Sequence, residues 1–310
     1  MNISEIKIFS PASVANVSCG FDVLGFCLEP IGDEMIIRKT KSQGVKITKI
    51  EGQKLPLDIK KNVAGIAAEA LINTYPSKEG VEIEIYKKIQ AGSGIGSSAA
   101  SAAGAVFGIN ELLGKPFNAH ELIAFAMEGE GLSSGSAHAD NVSPILLGGI
   151  TLVRSINPVD VIKLPCPKEL TAVILHPKIE LKTFHAREII KKNVSLEKAI
   201  QQWGNLGAFI SALFNEDYEL MSRSLKDEII EPIRSLLIPE FKLLKKASIN
   251  AGALGFGISG SGPSVYALTK GKDIANKVSQ AIVEVFSPIG IDFEIHISTI
   301  NNQGIEIIPN

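Results

Sequence analysis

The sequence predicts an α+β protein of two domains, the first half layered α/β and the second a small α+β sandwich. Three observations carry this. Strand-like and helix-like segments alternate through the first half, a proline-punctuated stretch runs from Asn157-Pro158 to Pro165-Cys166-Pro167, and strands return in the last third after a helical middle. At 310 residues the chain has room for two cores, so the domains are expected at 1–156 and 157–310.

Taken in order, Ile6–Phe9, Glu34–Lys39 and Val45–Ile50 read as strands, and Asn62–Tyr75 as a helix. Val81–Tyr86 alternates apolar and polar residues like a half-buried strand. A glycine loop follows, then an alanine-rich helix over Ala99–Leu113, a helix over Asn118–Gly129 with Asn118 as N-cap, and a strand over Gly148–Val153. In the second half, apolar Leu170–Leu175 is a strand and two or three helices fit between Thr183 and Ala251. A glycine turn from Gly257 leads into a strand ending near Leu268, Ile274–Phe286 is helical, and Phe293–Ile297 closes as a strand. That order suits a sheet with helices on one face.

Composition narrows the function classes. Lys and Arg number 31 against 33 Asp and Glu, a net charge of −2, so no general attraction to nucleic acid or to a membrane surface is expected. The three cysteines, Cys19, Cys27 and Cys166, have no metal-ligand spacing and fit a reducing compartment, with the cytoplasm as the expected location. The first residues lack a basic patch followed by an apolar run, so no targeting segment is expected. Ile89–Ile109 is uncharged and long enough to mimic a membrane span, but glycine, serine and alanine dominate it, which reads as loop plus packed helix.

The run Gly92-Ser93-Gly94-Ile95-Gly96-Ser97-Ser98 lies between a strand and a helix start, where backbone N–H groups lack partners and the helix dipole is positive. It reads as a phosphate cradle, its glycines admitting a phosphate close to the backbone and Ser97 and Ser98 supplying hydroxyls for oxygen or Mg²⁺. A dinucleotide fingerprint needs a sixth-position glycine where Ser97 stands, and the chain has no Gly-Lys-Ser/Thr. A nucleotide here is held by a third design.

Two further elements, Pro11–Gly25 and Gly257–Ser264, read singly as a turn and a hairpin. Together with Ile89–Ala100 they resemble, in order and spacing, the three motifs of the GHMP kinases. Ser134–Val142, Lys182–Arg187 and Asp227–Pro239 resemble blocks of the branch of that family that acts on L-homoserine. The resemblance implies a ribosomal protein S5 domain 2-like N-terminal domain, a ferredoxin-like C-terminal sandwich, a homodimer, and γ-phosphoryl transfer from ATP to the side-chain hydroxyl of L-homoserine. It places Mg²⁺ on Ser98 and Glu130. The nucleotide falls to Asn62, Ile89, Gln90, Ala91, Gly92, Ser93, Gly94, Ile95, Gly96, Ser97, Ser98, Thr183 and Gly260, with Asn62 equally readable as a helix N-cap.

For the acceptor, Arg187 and Arg234 offer bidentate forks to a carboxylate, Asp140 or Asp22 an anion to the ammonium, and His138, Asn141 and Asn16 polar groups to the hydroxyl. Asn16, Asn141, Ser98 and Glu130 are the expected catalytic positions. Several relatives carry an aspartate base where this chain has Asn141, so direct transfer without a dedicated base is expected. Two departures stand out: Ser18-Cys19-Gly20 replaces the usual Gly-Pro-Gly, and Gln90 replaces the proline that usually opens the nucleotide loop. Cys19 is expected to be a thiol worth probing. The alternatives are a family kinase for another small alcohol such as mevalonate, a non-catalytic ligand-binding member, and, more distantly, a dinucleotide oxidoreductase.

Overall fold

The computed structural model describes residues 4–75, 79–131, 138–179, 181, 188–191 and 193–309, and the backbone of 132–134. Its strands are β1 (Glu5–Ala15), β2 (Leu24–Thr40), β3 (Val45–Glu51), β4 (Gly80–Tyr86), β5 (Ile150–Ile156), β6 (Val159–Leu164), β7 (Leu170–Pro177), β8 (Gly255–Ile258), β9 (Val265–Lys270), β10 (Phe293–Thr299) and β11 (Glu306–Ile307). They form two sheets. One runs β11-β1-β2-β4-β3 with the β5–β6 hairpin on β2, and the other runs β10-β7-β9-β8. Pairing is antiparallel except between β3 and β4.

In the first unit, α1 (Val63–Thr74), α2 (Ser97–Leu112), α3 (Ala119–Ser134) and α4 (Ala139–Leu147) pack on one another, with α2 and α4 on β1 and β2. Small residues explain why α2 sits so deep. Ala99, Ala100, Ala102, Ala103 and Ala105 are fully buried, and at Gly108 a methyl group would enter the space of the Ile37 side chain. The uncharged stretch is therefore a packed helix, and among the described residues no helix is long and apolar enough to cross a membrane. The start of α3 is capped as expected: Asn118 Oδ1 accepts from the N–H groups of His120 and Glu121, and Glu121 Oε2 accepts from Asn118 N.

In the second unit, α5 (Leu196–Asn215), α6 (Tyr218–Ser224), α7 (Glu231–Arg234), α8 (Phe241–Asn250) and α9 (Lys272–Phe286) surround the smaller sheet. All eight residues of β7 are buried, and their alternation shows how. Val173 and Leu175 join the core under α8 and α9, while Ala172 and Ile174 join the larger core shared with the first unit and α5. The expectation of helices on one face is thus incomplete, because the other face is covered as well; Tyr266 of β9 meets Phe26 of β2 edge to face at 5.8 Å.

The first motif departs from the expected short strand. β1 continues through Pro11 to Ala15, and Asn16, Val17 and Ser18 follow with φ of 75°, 34° and 55°. Three successive left-handed residues, one of them β-branched, make this a strained turn. The boundary expected at 156 falls inside the β5–β6 hairpin, whose Ile156 and Val159 still pair in the first sheet. The change of sheet comes after Leu164 instead, because the Asn157-Pro158 turn closes a hairpin rather than linking domains.

Candidate active site

The nucleotide loop is shaped by contacts that only its glycines permit. Gly94 has φ of 84°, and a Cβ there would lie 2.6 Å from the Gly262 carbonyl oxygen; one on Gly96, at φ 73°, would strike the Ser13 hydroxyl. Gly96 caps α2, so the first-turn amides of Ser97, Ser98 and Ala99 open toward a cavity of about 400 Å³. Gly92, Gly94, Gly96, Ser97 and Ser98 line it on one side. Leu55, Pro56, Val63 and Ile85 add apolar lining of the kind a flat base packs against.

Two expected side-chain roles change. The Ser97 hydroxyl faces inward and donates to the Ile89 carbonyl at 2.8 Å, closing the loop rather than serving a ligand. Asn62 takes its capping reading: Oδ1 accepts from Ala64 N and Nδ2 donates to the Pro56 carbonyl, which fixes the wall it lines. The sequence reading missed Lys87 and Asp33. Lys87, 6 % exposed, lines the cavity, pairs with Asp33 and donates to Ser97 O at 2.8 Å and Ser101 Oγ at 3.1 Å, while burial pulls its pKa down. Asp33 also accepts from the N–H groups of Lys88 and Ile89, holding the entry to the loop. The alternation of β4 could have found Lys87, which continues the buried phase of Val81, Ile83 and Ile85, whereas exposed Lys88 falls on the other face.

The three motifs interlock around the loop. Ser13 N donates to Ile95 O, Ser264 N to Ser93 O, and Gly260 N to Ala15 O, each at 3.2 Å. Ser259 Oγ adds a bond to Gly94 O at 2.7 Å. From β7, His176 reaches Ser264 Oγ at 3.1 Å and Gln90 Oε1 at 3.4 Å; burial lowers its pKa to about 4, so the ring is neutral. Gln90, where a proline was the usual residue, meets the second unit through this contact.

Ser98 and Glu130 come together as expected. The Ser98 hydroxyl bonds the Glu130 carboxylate, which is 4 % exposed and pushed up to about 7 chiefly by burial. One hydroxyl and one carboxylate at the mouth of the phosphate cradle is the hard-oxygen set that Mg²⁺ accepts when it arrives on phosphates. No cluster of three or more His, Cys, Asp or Glu that could hold a metal occurs among the described residues. Beyond this pair, His138 Nδ1 lies 3.5 Å from Asp22 Oδ1. Asp140 sits behind them, 2 % exposed, and burial raises it to about 6. Asn141 lines the cavity, its Oδ1 accepting from Ser13 Oγ at 3.0 Å, and its amide hydrogens have no partner among the described residues. Asn16 has both ends engaged: Nδ2 donates to Gly260 O at 2.6 Å and Oδ1 accepts from Asp22 N at 3.0 Å. It ties the first motif to the third instead of offering a free amide.

Arg234 is 4 % exposed, which excludes a solvated helix residue. It lines a second, small pocket with Asn16, Phe21, Asp227 and Gly260, and Gly260 is also a wall of the larger cavity. Its Nη1 donates to Gly260 O at 3.1 Å and its guanidinium lies 5.0 Å from the Phe21 ring. Asp227 holds α7 in place by accepting from the N–H groups of Ile229, Ile230 and Glu231. Gln202 of α5 links Asp227 to the first motif, donating to Asp227 Oδ1 at 3.2 Å and Cys19 O at 3.1 Å. The Cys19 thiol is buried and pushed up to about 12 by that burial, which disfavours the thiolate that a reactive cysteine needs. Thr183 and Arg187 lie outside the described residues.

Comparison with known proteins places this geometry. The family profile described as GHMP kinases N terminal domain matches residues 61–149, and that described as GHMP kinases C terminal matches 209–287. A homoserine kinase of Chlorobium phaeobacteroides (strain BS1) is 42% identical, over 97% of this chain and 98% of the relative. A homoserine kinase of Xylella fastidiosa (strain M12) is 35% identical, over 98% and 94%. Among solved structures, homoserine kinase from Cytophaga hutchinsonii superposes with a TM-score of 0.95 at 48% identity, covering 99% of this chain and 98% of that one. L. major mevalonate kinase in complex with R-mevalonate has a TM-score of 0.69 at 14% identity, covering 95% and 96%, and shares the fold alone.

Proposed function

We propose that this chain, which belongs to the GHMP kinase family, transfers the γ-phosphoryl group of ATP to the side-chain hydroxyl of L-homoserine, giving O-phospho-L-homoserine and ADP, the step leading to threonine biosynthesis. The observation that carries the reading is Gly260, one residue that walls both the phosphate cavity and the pocket of a buried arginine. A triphosphate on the α2 amides and a carboxylate on Arg234 then meet across a single backbone carbonyl.

Catalysis rests on positioning. The α2 amides hold the phosphate chain and stabilise charge on its oxygens, and Lys87 and Asp33 keep the loop in that shape. Ser98 and Glu130 would hold Mg²⁺, which would supply neutralisation of the charge on the phosphates. Arg234, with Arg187, grips the carboxylate of the acceptor, and Asp22 or Asp140 faces its ammonium. Asn141, an amide, cannot take a proton. It orients the hydroxyl, with His138 beside it, so that the oxygen attacks phosphorus in line. The new O–P bond forms as the bond to the β-phosphate oxygen breaks, with that bonding pair leaving on ADP, and the hydroxyl proton passes late to an oxygen of the transferred phosphoryl group, because a loose transition state needs little prior deprotonation. The cytoplasm is the proposed compartment and a homodimer the proposed assembly.

A coupled ADP-release assay tests the assignment. Turnover is expected with homoserine well above that with mevalonate, threonine, serine or galactose. Mevalonate has a carboxylate but no ammonium, so preference for it would move the reading to another small-alcohol kinase, and no turnover with any of them would leave a binding protein.

A further inference from the structure

Helix α5 carries an apolar stripe on its outer side. At 100° per residue, Leu196, Ile200, Trp203, Gly207, Ile210 and Phe214 fall within about 40° of one line along the helix, Ile210 being half-buried with one side against the protein's own core. Leu196 is 68 % exposed, Ile200 51 %, Trp203 55 % and Phe214 64 %, while Phe209, Ala212 and Leu213 on the opposite side are buried. With aromatic side chains of about 150–250 Å² each, the four exposed residues present roughly 500 Å² of apolar surface. That is near the upper end of the roughly 300–600 Å² a lone soluble chain leaves contiguous.

The order of residues along the stripe says what covers it. A two-fold axis crossing the helix at the level of residue 205 sets Leu196 opposite the partner's Phe214, Ile200 opposite Ile210, and Trp203 opposite Gly207, and each pairing recurs in reverse as an isologous contact requires. The bulkiest side chain therefore faces a residue with none. A Cβ built on Gly204 or Gly207 meets nothing within 4 Å, so both leave an open notch for an incoming indole. Exposed Glu197, Gln201, Ser211 and Asn215 supply a polar rim that extends the patch toward the roughly 800 Å² each partner contributes to a stable interface. We infer that α5 is the dimer face of this protein, pairing antiparallel with α5 of a second copy in that register. The inference names the face and register of the assembly and does not depend on the identity of the acceptor. It gives α5 a second task, since Gln202 on the same helix holds Cys19 and Asp227 beside the arginine pocket.

Sedimentation velocity on the full chain tests this, with a dimer expected at about 10 µM. Trp203→Glu and Gly207→Gln should each loosen it by about tenfold or more. Gly207→Gln adds a side chain where the chain itself has open space, so a folding defect cannot imitate its effect. A double variant, Leu196→Cys with Phe214→Cys, checks the register. The two positions are about 27 Å apart on one helix, so oxidation should cross-link two copies in the double variant and not in either single variant. A chain monomeric at every concentration, a dimer indifferent to both substitutions, or cross-linking by a single variant would each overturn the proposal.

Discussion

The two ends of the site are built by different means. At the nucleotide end, loop shape is set by backbone: left-handed glycines, carbonyls and amides bonded between Ser13 and Ile95, Ser93 and Ser264, Ala15 and Gly260. At the acceptor end, side chains from three distant stretches do the work: Asn16 and Arg234 both donate to Gly260 O, Gln202 donates to Asp227, and Asp227 accepts from the start of α7. A backbone-built site tolerates almost no change in its small residues, whereas a side-chain-built site fails one ligand at a time.

The largest effect follows from the first half of that contrast. Gly94→Val must place a branched side chain against the Gly262 and Ser259 carbonyls at a φ it does not favour. Because a displacement near 1 Å at a reacting group costs about 10²-fold, kcat/KM should fall by about that factor or more with both substrates. A variant with nearly native kinetics would show that the interlock with the third motif is not what shapes the loop.

Arg234→Lys sharpens the other half. Lysine keeps the charge but loses the planar fork, so a loss of about 1.5–3 kcal/mol, the range for hydrogen bonds to charged groups, raises the KM for homoserine about 10- to 100-fold. The KM for ATP should move little. Equal shifts in both constants would mean that Arg234 supports Gly260 and the nucleotide end rather than the carboxylate.

The same contrast explains what was legible in the sequence. Three glycines in five residues before an alanine-rich helix announce a phosphate loop because glycine spacing is itself the cause of the backbone shape. That Ser98 and Glu130 lie together was anticipated only through family resemblance. The acceptor end gave less. Nothing in the sequence shows that the Asn16 amide is held at both ends or that Gln202 bridges two loops, since each depends on which distant segment packs against it. The hairpin around Asn157-Pro158 misled for a related reason: a proline turn looks the same whether it joins domains or two strands of one sheet.

A smaller effect should appear where the second unit touches the loop. His176 is held neutral between Ser264 and Gln90, its pKa lowered to about 4 by burial, with Lys178 and His296 adding repulsion and Glu294 opposing them. A folded pKa below the unfolded one near 6.5 means the unfolded chain binds the proton first. The stability that the neutral ring confers is thus present above about pH 6.5 and is lost as pH falls toward 4. Compared with His176→Gln by denaturant unfolding, the native chain should lose about 2 kcal/mol more over that window, solvent screening included. Parallel pH profiles for the two proteins would place the ring in contact with water.

The smallest effect belongs to Gln90→Pro, which restores the residue more usual at the loop entry. Ile89 N and Ala91 N are held by Asp33 and by Gln53, and Gln90 N has no bond among the described residues. Its side chain offers His176 only a 3.4 Å contact. Proline at a compatible position narrows the unfolded ensemble and stabilises by about 0.4–1 kcal/mol, so the KM for ATP should change by less than about threefold while Tm rises slightly. If the KM for ATP instead rose tenfold with Tm unchanged, the contact to His176 would be the element that sets the loop, and side chains would govern the nucleotide end as they govern the acceptor end.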